Sequence, residues 1–248
     1  MREGERLRRG RYQSMAKPKG IRVGQAINFG RCRQGRFLPK EERRALKLEV
    51  ASADAQAAET GSLDDLYPIK PIRWRVLAVK PDEGIALLTV KKCLASRPFH
   101  TQPPYPTWEK SDMRSWLNGE FIEAVFTPEE RELLVLSDIP NDASQDCRNG
   151  REGGPTTQDR VFLFSYTEAR DYFKDYEDRR CSLTLVAKAQ GGYADDEGDC
   201  CWWLRSPGSS EDTVGFVSYG GSYSYDKDVN FRGISVRPAL WVKYASLL

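Results

Sequence analysis

Two near-continuous apolar runs, IRWRVLAV at 72–79 and IALLTVKKCL at 85–94, flank the turn signal Asp82-Glu83-Gly84. Runs of this length, interrupted by turn residues, predict two core strands joined as a hairpin. Upstream, IRVGQAINFGR at 21–31 sets Ile21, Val23, Ala26 and Ile27 around Gly24, the pattern of a strand broken by a turn or bulge. Downstream the period changes. Met113, Trp116 and Leu117 recur at helical spacing behind a cap at Ser111 or Asp112, and Thr127-Pro128-Glu129-Glu130 opens a second helix with a capping box and a proline at its first position. Val161 to Phe164 predicts a short strand, followed by a helix whose Tyr172 and Phe173 face the core. Turns at Pro207-Gly208 and Gly220-Gly221 divide the C-terminal tail into short strands. The sum is α+β: two to four helices packed on short, largely antiparallel strands.

Three segments lack such a pattern. Residues 1–20 are basic and are expected to form a flexible leader before a single domain at 21–248. Residues 39–59 favour a helix, but their apolar content is mostly alanine, so an exposed helix or insertion is expected at about 35–65. Residues 141–159 and the acidic 190–199 read as surface loops.

The tail carries the most information. WWLRSPG at 202–208 and VRPALWV at 236–242 are stiff clamps that enclose a tract of Ser, Tyr, Asp, Asn and Gly. Disordered linkers are poor in aromatics, whereas recognition surfaces combine Tyr for rigid amphipathic area with Ser, Gly and Asn for adaptable hydrogen bonds. At least one of Trp202 and Trp203 is expected in the core. Arg205 and Arg237 are expected to bond loop carbonyls or carboxylates, a task that suits a rigid guanidinium fork. Tyr223 and Tyr225, two apart in SYSYD, share one face of a strand, and their polar neighbours predict that this face is exposed.

Charge narrows the choice of partner. Lys and Arg number 38 against 36 acidic residues, for a formal net charge of +2, so no global field favours nucleic acid. No apolar run reaches the roughly 20 residues that span a bilayer, and the N-terminus lacks the apolar core of a signal peptide, which predicts the cytoplasm by default. The six cysteines have no CxxC spacing and His100 is the only histidine, so reduced thiols and no metal are expected. Cys200 and Cys201 are expected to divide, one buried and one exposed. Asp195, Asp196, Glu197 and Asp199 make an oxygen-rich loop without EF-hand spacing. No GxSxG, P-loop or metal motif points to catalysis, and no cofactor is implied.

The order INFGR, PIRWRVL, TWEKSDMRSWLNGEF, DRVFLFSYTEA, WWLRSPG and GISVRPAL over residues 21–243 resembles a bacterial and phage family. It is similar to the variable proteins of diversity-generating retroelements. That resemblance implies a C-type-lectin-like fold of the formylglycine-generating-enzyme-like subgroup, with a hypervariable ligand-binding region at about 203–234. It implies adenine-directed variation, which from an asparagine codon reaches Tyr, Ser, Asp, Gly and Phe but not Glu or Lys. Between Ser209 and Ile234 only Glu211 and Lys227 are of the inaccessible kind. Two positions depart from the pattern: Cys32 stands where an aromatic is usual, and Ser235 where a Gly directly before VRPAL is commoner.

The expected contact set is Ser209, Ser210, Asp212, Thr213, Tyr219, Tyr223, Tyr225, Asp226, Asp228, Asn230, Phe231 and Arg232. A protein or a surface glycan is the expected ligand, and the oligomeric state stays open. Two alternatives remain: a fixed-specificity carbohydrate-binding or structural module, and a cysteine-dependent oxidase-like enzyme built on Cys200 or Cys201.

Overall fold

The computed structural model describes residues 20–34, 67–104, 107–145 and 151–247. The expected leader before Gly20 and the whole of the insertion at 35–65 lie outside the described residues. The first strands are β1 (Ala26–Arg33), β2 (Ile69–Lys80), β3 (Ile85–Val90), β4 (Lys92–Cys93) and β5 (Ala95–Ser96). Helical segments follow as α1 (Thr107–Lys110), α2 (Asp112–Trp116), a π-helical turn (Leu117–Phe121), α3 (Ile122–Val125) and α4 (Pro128–Leu133). Then come β6 (Ser137–Ile139), β7 (Thr157–Asp159), α5 (Tyr166–Tyr172), α6 (Tyr176–Arg179), β8 (Ser182–Leu183) and α7 (Leu185–Ala189). The tail supplies β9 (Trp202–Pro207), β10 (Thr213–Val217), β11 (Tyr223–Asp228), β12 (Ser235–Val236) and β13 (Ala239–Lys243).

The architecture is mixed α/β, mostly strands, in curled antiparallel sheets. One sheet has the order β1-β2-β3-β13 and another β11-β10-β9-β12-β5. The expected hairpin is β2–β3, turned at residues 81–84 with Gly84 at φ 67°. The expected interruption in the first strand is also present. A turn at Val23-Gly24 precedes β1, and a register shift between Asn28 and Arg31 places Gly30 at φ 65°, where a Cβ would meet the Phe126 ring at 2.7 Å. Only glycine fits that close approach.

Helix starts agree with the residue signals. Ser111 caps α2, Thr127 and Glu130 form a capping box at α4, and Ser165 with Glu168 forms another at α5. Among the described residues α2, the π-helical turn and α3 run on without a break from Asp112 to Val125, and the other five α-helical segments have seven residues or fewer. Extended residues at Ser111 and at Phe126-Thr127 separate this continuous helix from α1 and α4. Val161–Phe164 is a correction. It is buried throughout, but its only pairing among the described residues is an isolated bridge between Phe162 and Ala239, because Arg205 and Ala239 claim its backbone from different sides.

The loop expected at 141–159 contains β7, which pairs with β6. Its last residue, Asp159, is fully buried and accepts from Trp108 Nε1 at 2.8 Å, Arg114 Nε at 2.7 Å and Thr157 Oγ1 at 2.8 Å. One carboxylate thus fastens α1, α2 and β7 together. Asp159→Ala leaves an indole N–H and a guanidinium without their acceptor and should cost about 3 kcal/mol, measured by urea unfolding.

Candidate functional site

The C-terminal clamps are structural, as their residue types predicted. Every residue of β9 is buried, including both Trp202 and Trp203. Trp202 Nε1 donates to Arg179 O at 3.0 Å and Trp203 Nε1 to Arg97 O at 2.9 Å, so each indole brings its own hydrogen bond into the core. Arg205 donates to Leu163 O at 2.6 Å, Pro140 O at 2.7 Å and Asn141 Oδ1 at 3.1 Å, and pairs with Glu168. Arg237 donates to Arg179 O at 2.8 Å and lies over the rings of Phe173 at 4.5 Å and Trp202 at 4.9 Å. Both guanidinium groups are buried and bond within the fold.

Between the clamps, the expected contact residues divide by the face they occupy. Tyr223 and Tyr225 do share one face, and both rings meet Tyr166 of α5, at 4.5 and 5.8 Å. That face is covered, so their expected exposure is corrected: both are half-buried, and Tyr223 also lies under the Arg179 guanidinium at 4.5 Å. Burial raises the Tyr223 hydroxyl above its ordinary pKa. The apolar partner came from α5, far off in sequence, which local composition could not reveal. Thr213 is corrected as well. It is a buried residue of β10, and its hydroxyl accepts from Ser210 N at 2.9 Å and closes the β9–β10 turn.

The exposed aromatics gather elsewhere. Tyr219 sits in the β10–β11 turn, held by Ser218 N to Ser222 O at 2.7 Å and by Gly221 N to Ser218 O at 2.9 Å. Gly221 (φ 82°) is required there, since a Cβ would meet Tyr176 O at 2.1 Å. The Tyr219 ring lies 6.5 Å from that of Tyr193, whose loop is tied to the tract by Tyr193 N to Gly233 O at 3.1 Å. Lys227 Nζ stands 5.0 Å from the Phe231 ring and 5.7 Å from that of buried Phe216. Tyr193, Tyr219 and Phe231 are 60%, 47% and 44% exposed. Arg232, Asn230, Asp228, Asp226, Asp212 and Ser210 are exposed along the same tract, and Ser209 is half-exposed. Of these, Ser210 O accepts from Arg151, and Asp226 Oδ1 accepts from Ser224 Oγ at 2.8 Å.

Tyr193 and Lys227 were not among the expected contacts. The signal for Tyr193 was available, an aromatic among glycines and acids, but 190–199 was read for its carboxylates alone. Those carboxylates close on a cation of the protein: Arg180 pairs with Glu197 at 2.7 Å and Asp199 at 2.8 Å, and Asp195 Oδ1 accepts from the amides of Glu197 and Asp199. Among the described residues, no group of three or more His, Cys, Asp or Glu side chains is arranged to hold a metal ion. Cys200 and Cys201 are both buried, against the expected split, because this strand's approach is covered on both faces. Burial raises the Cys201 thiol's pKa.

Fold and surface together define a mixed α/β protein that holds an aromatic and polar patch on curled antiparallel sheets, with its fixed arginines turned inward. The chain belongs to the family described as Domain of unknown function (DUF6273), whose model matches residues 83–244. The match starts in the β2–β3 turn, so β1 and β2 complete the first sheet from outside it. No curated protein and no solved structure matches the chain.

The two tyrosine classes should separate on unfolding. Tyr223→Ala should lower stability by about 2 kcal/mol through loss of ring contacts to Tyr166 and Arg179, while Tyr219→Ala should stay within about 0.5 kcal/mol, both measured by urea denaturation.

Proposed function

We propose that this chain is a non-enzymatic ligand-binding protein of C-type-lectin-like fold, in the formylglycine-generating-enzyme-like subgroup, that recognises a protein or surface glycan through its C-terminal tract. The observation that carries this reading is the exposed group of Tyr193, Tyr219 and Phe231, with Lys227 beside it, carried on turns and loops that adjoin buried strands. Exposed aromatics cost solvation unless a partner covers them, and rigid aromatics ringed by polar groups are the usual make-up of a binding hot spot. The contact set is Tyr193, Tyr219, Lys227, Phe231 and Arg232 at the centre, with Ser209, Ser210, Asp212, Asp226, Asp228 and Asn230 around it. Tyr225 contributes its exposed edge, and Tyr223 supports the set from below.

The retroelement reading belongs to this proposal and becomes narrower. Variation is tolerable at exposed positions such as 219, 226, 228 and 230–232. It is costly at Thr213, Gly221 and Tyr223, whose side chains or lack of one are fixed by packing. A reverse-transcriptase gene nearby and a near-copy of the codons for 209–234, differing mainly at adenines, are the expected neighbours in the DNA. With neither present, the fixed-specificity module is the better description.

Binding is tested on arrays of glycans and of cell-surface proteins. Tyr193→Ala, Tyr219→Ala and Phe231→Ala should each weaken a captured ligand at least tenfold, about 1.4 kcal/mol, with Tm unchanged. Wild-type affinity in all three variants would exclude the patch as the recognition surface.

A further inference from the structure

Three thiols outside the proposed surface converge in the core. Cys93 ends β4, Cys181 directly precedes β8, and Cys200 lies just ahead of β9. Cys93 Sγ is 3.6 Å from Cys181 Sγ, and Cys200 Sγ donates to Cys181 O at 3.0 Å. The backbone already holds these segments together: Thr184 N donates to Cys93 O at 3.0 Å, and Cys200 N to Cys181 O at 2.9 Å. Sulfur centres 3.6 Å apart need an approach of about 1.5 Å to bond. We propose that Cys93 and Cys181 are an oxidisable dithiol that closes to a disulfide, with Cys200 as a bystander that orients Cys181.

The two sulfurs have different roles. The Cys93 thiol donates toward Cys181, and that hydrogen bond, followed by the nearby Arg237 guanidinium, lowers the Cys181 pKa, while burial raises that of Cys93. Cys181 is therefore the nucleophile. Its thiolate attacks one oxygen of hydrogen peroxide and cleaves the O–O bond to give a sulfenic acid and hydroxide. Cys93 sulfur then displaces the sulfenic oxygen, which leaves as water with the Cys93 proton, and the hydroxide takes up the proton that Cys181 had released. Two thiols lose two electrons, and peroxide is reduced to two waters. With Cys181 3% exposed and Cys93 fully buried, the oxidant must be as small as hydrogen peroxide and reaches the pair when the core opens locally.

The bond would span 88 positions and fix the chain two residues from Arg179. Arg179 is a strut of the C-terminal sheet: its carbonyl accepts from Trp202 and Arg237, and its Nε donates to Gly221 O at 2.7 Å. A cross-link over so long a span constrains the unfolded chain strongly. This inference stands independently of any ligand.

The test uses the full-length wild-type protein, treated with hydrogen peroxide, alkylated in denaturant and mapped without reduction. The expected product is a Cys93–Cys181 linked peptide pair, two hydrogens lighter than the reduced pair, with the other four cysteines alkylated. Tm should rise by on the order of 5–10 °C and return on adding reductant. Cys200→Ser should keep the linked pair and Cys93→Ser should lose it. If Cys93→Ser fails to fold, the wild-type map decides alone. Recovery of Cys93 and Cys181 as free thiols, a bond from Cys93 to Cys200, or sulfinate at Cys181 would each overturn the proposal.

Discussion

A guanidinium with 1% of its surface exposed must find protein acceptors for its N–H groups, and Arg205 imposes that requirement on the centre of this fold. It sits in β9, a strand buried along its whole length, and its acceptors come from Pro140 and Asn141 after β6, Leu163 in the bridge segment and Glu168 in α5. Three stretches without long regular structure are thereby fixed against one side chain. The same Glu168 completes the α5 capping box, so the helix that shields Tyr223 is anchored by the group that neutralises Arg205. Both Trp202 and Trp203 are dry for the same reason: the strand has structure on each face. Burying an indole removes roughly 200 Å² from water, on the order of 5 kcal/mol as an upper figure.

Arg179 transmits this order to the tail. Its carbonyl collects donors from Trp202 and Arg237, one from each clamp, and its side chain reaches the Gly221 turn and the Tyr223 ring. The polar tract between the clamps is therefore anchored at its middle as well as at its ends. Anchoring matters to recognition because side chains on a fixed backbone lose less freedom when they bind.

The residues announced what depends on local rules and stayed silent on what depends on distant partners. The β2–β3 hairpin, the Ser111 cap and the Thr127 capping box follow from a few adjacent residues, and all were legible. The inward role of Arg205 and Arg237 was legible too, since a buried guanidinium leaves few alternatives. Asp159 was not. It stands in a polar stretch, and only the approach of Trp108 and Arg114 makes it a buried hub. Tyr223 and Tyr225 were placed on one face correctly, but the face was assigned to solvent because Tyr166 lies more than fifty positions away. For the surface, the period-2 argument located aromatics along the chain, while the pairing of Tyr193 with Tyr219 needed the loop at 190–199 to fold back onto Gly233.

A surface that is to recognise many shapes must be uncoupled from the core that carries it, and here the boundary falls within the tract itself. Substitution at Tyr223 disturbs Arg179, and through Arg179 both clamps. Tyr219 is two residues beyond the paired end of β10 and touches Tyr193, which is itself exposed. Energetic coupling decays when residues share no partner, so changes at 219, 226, 228 and 230–232 should combine nearly additively with changes in the core, whereas those at 223 and at buried Val229 should not. Along β11 the half-buried Tyr223 and Tyr225 thus give way to exposed Asp226 and Asp228 across the register shift that interrupts its pairing with β10. Composition alone groups Tyr219, Tyr223 and Tyr225 together, and the packing of α5 separates them.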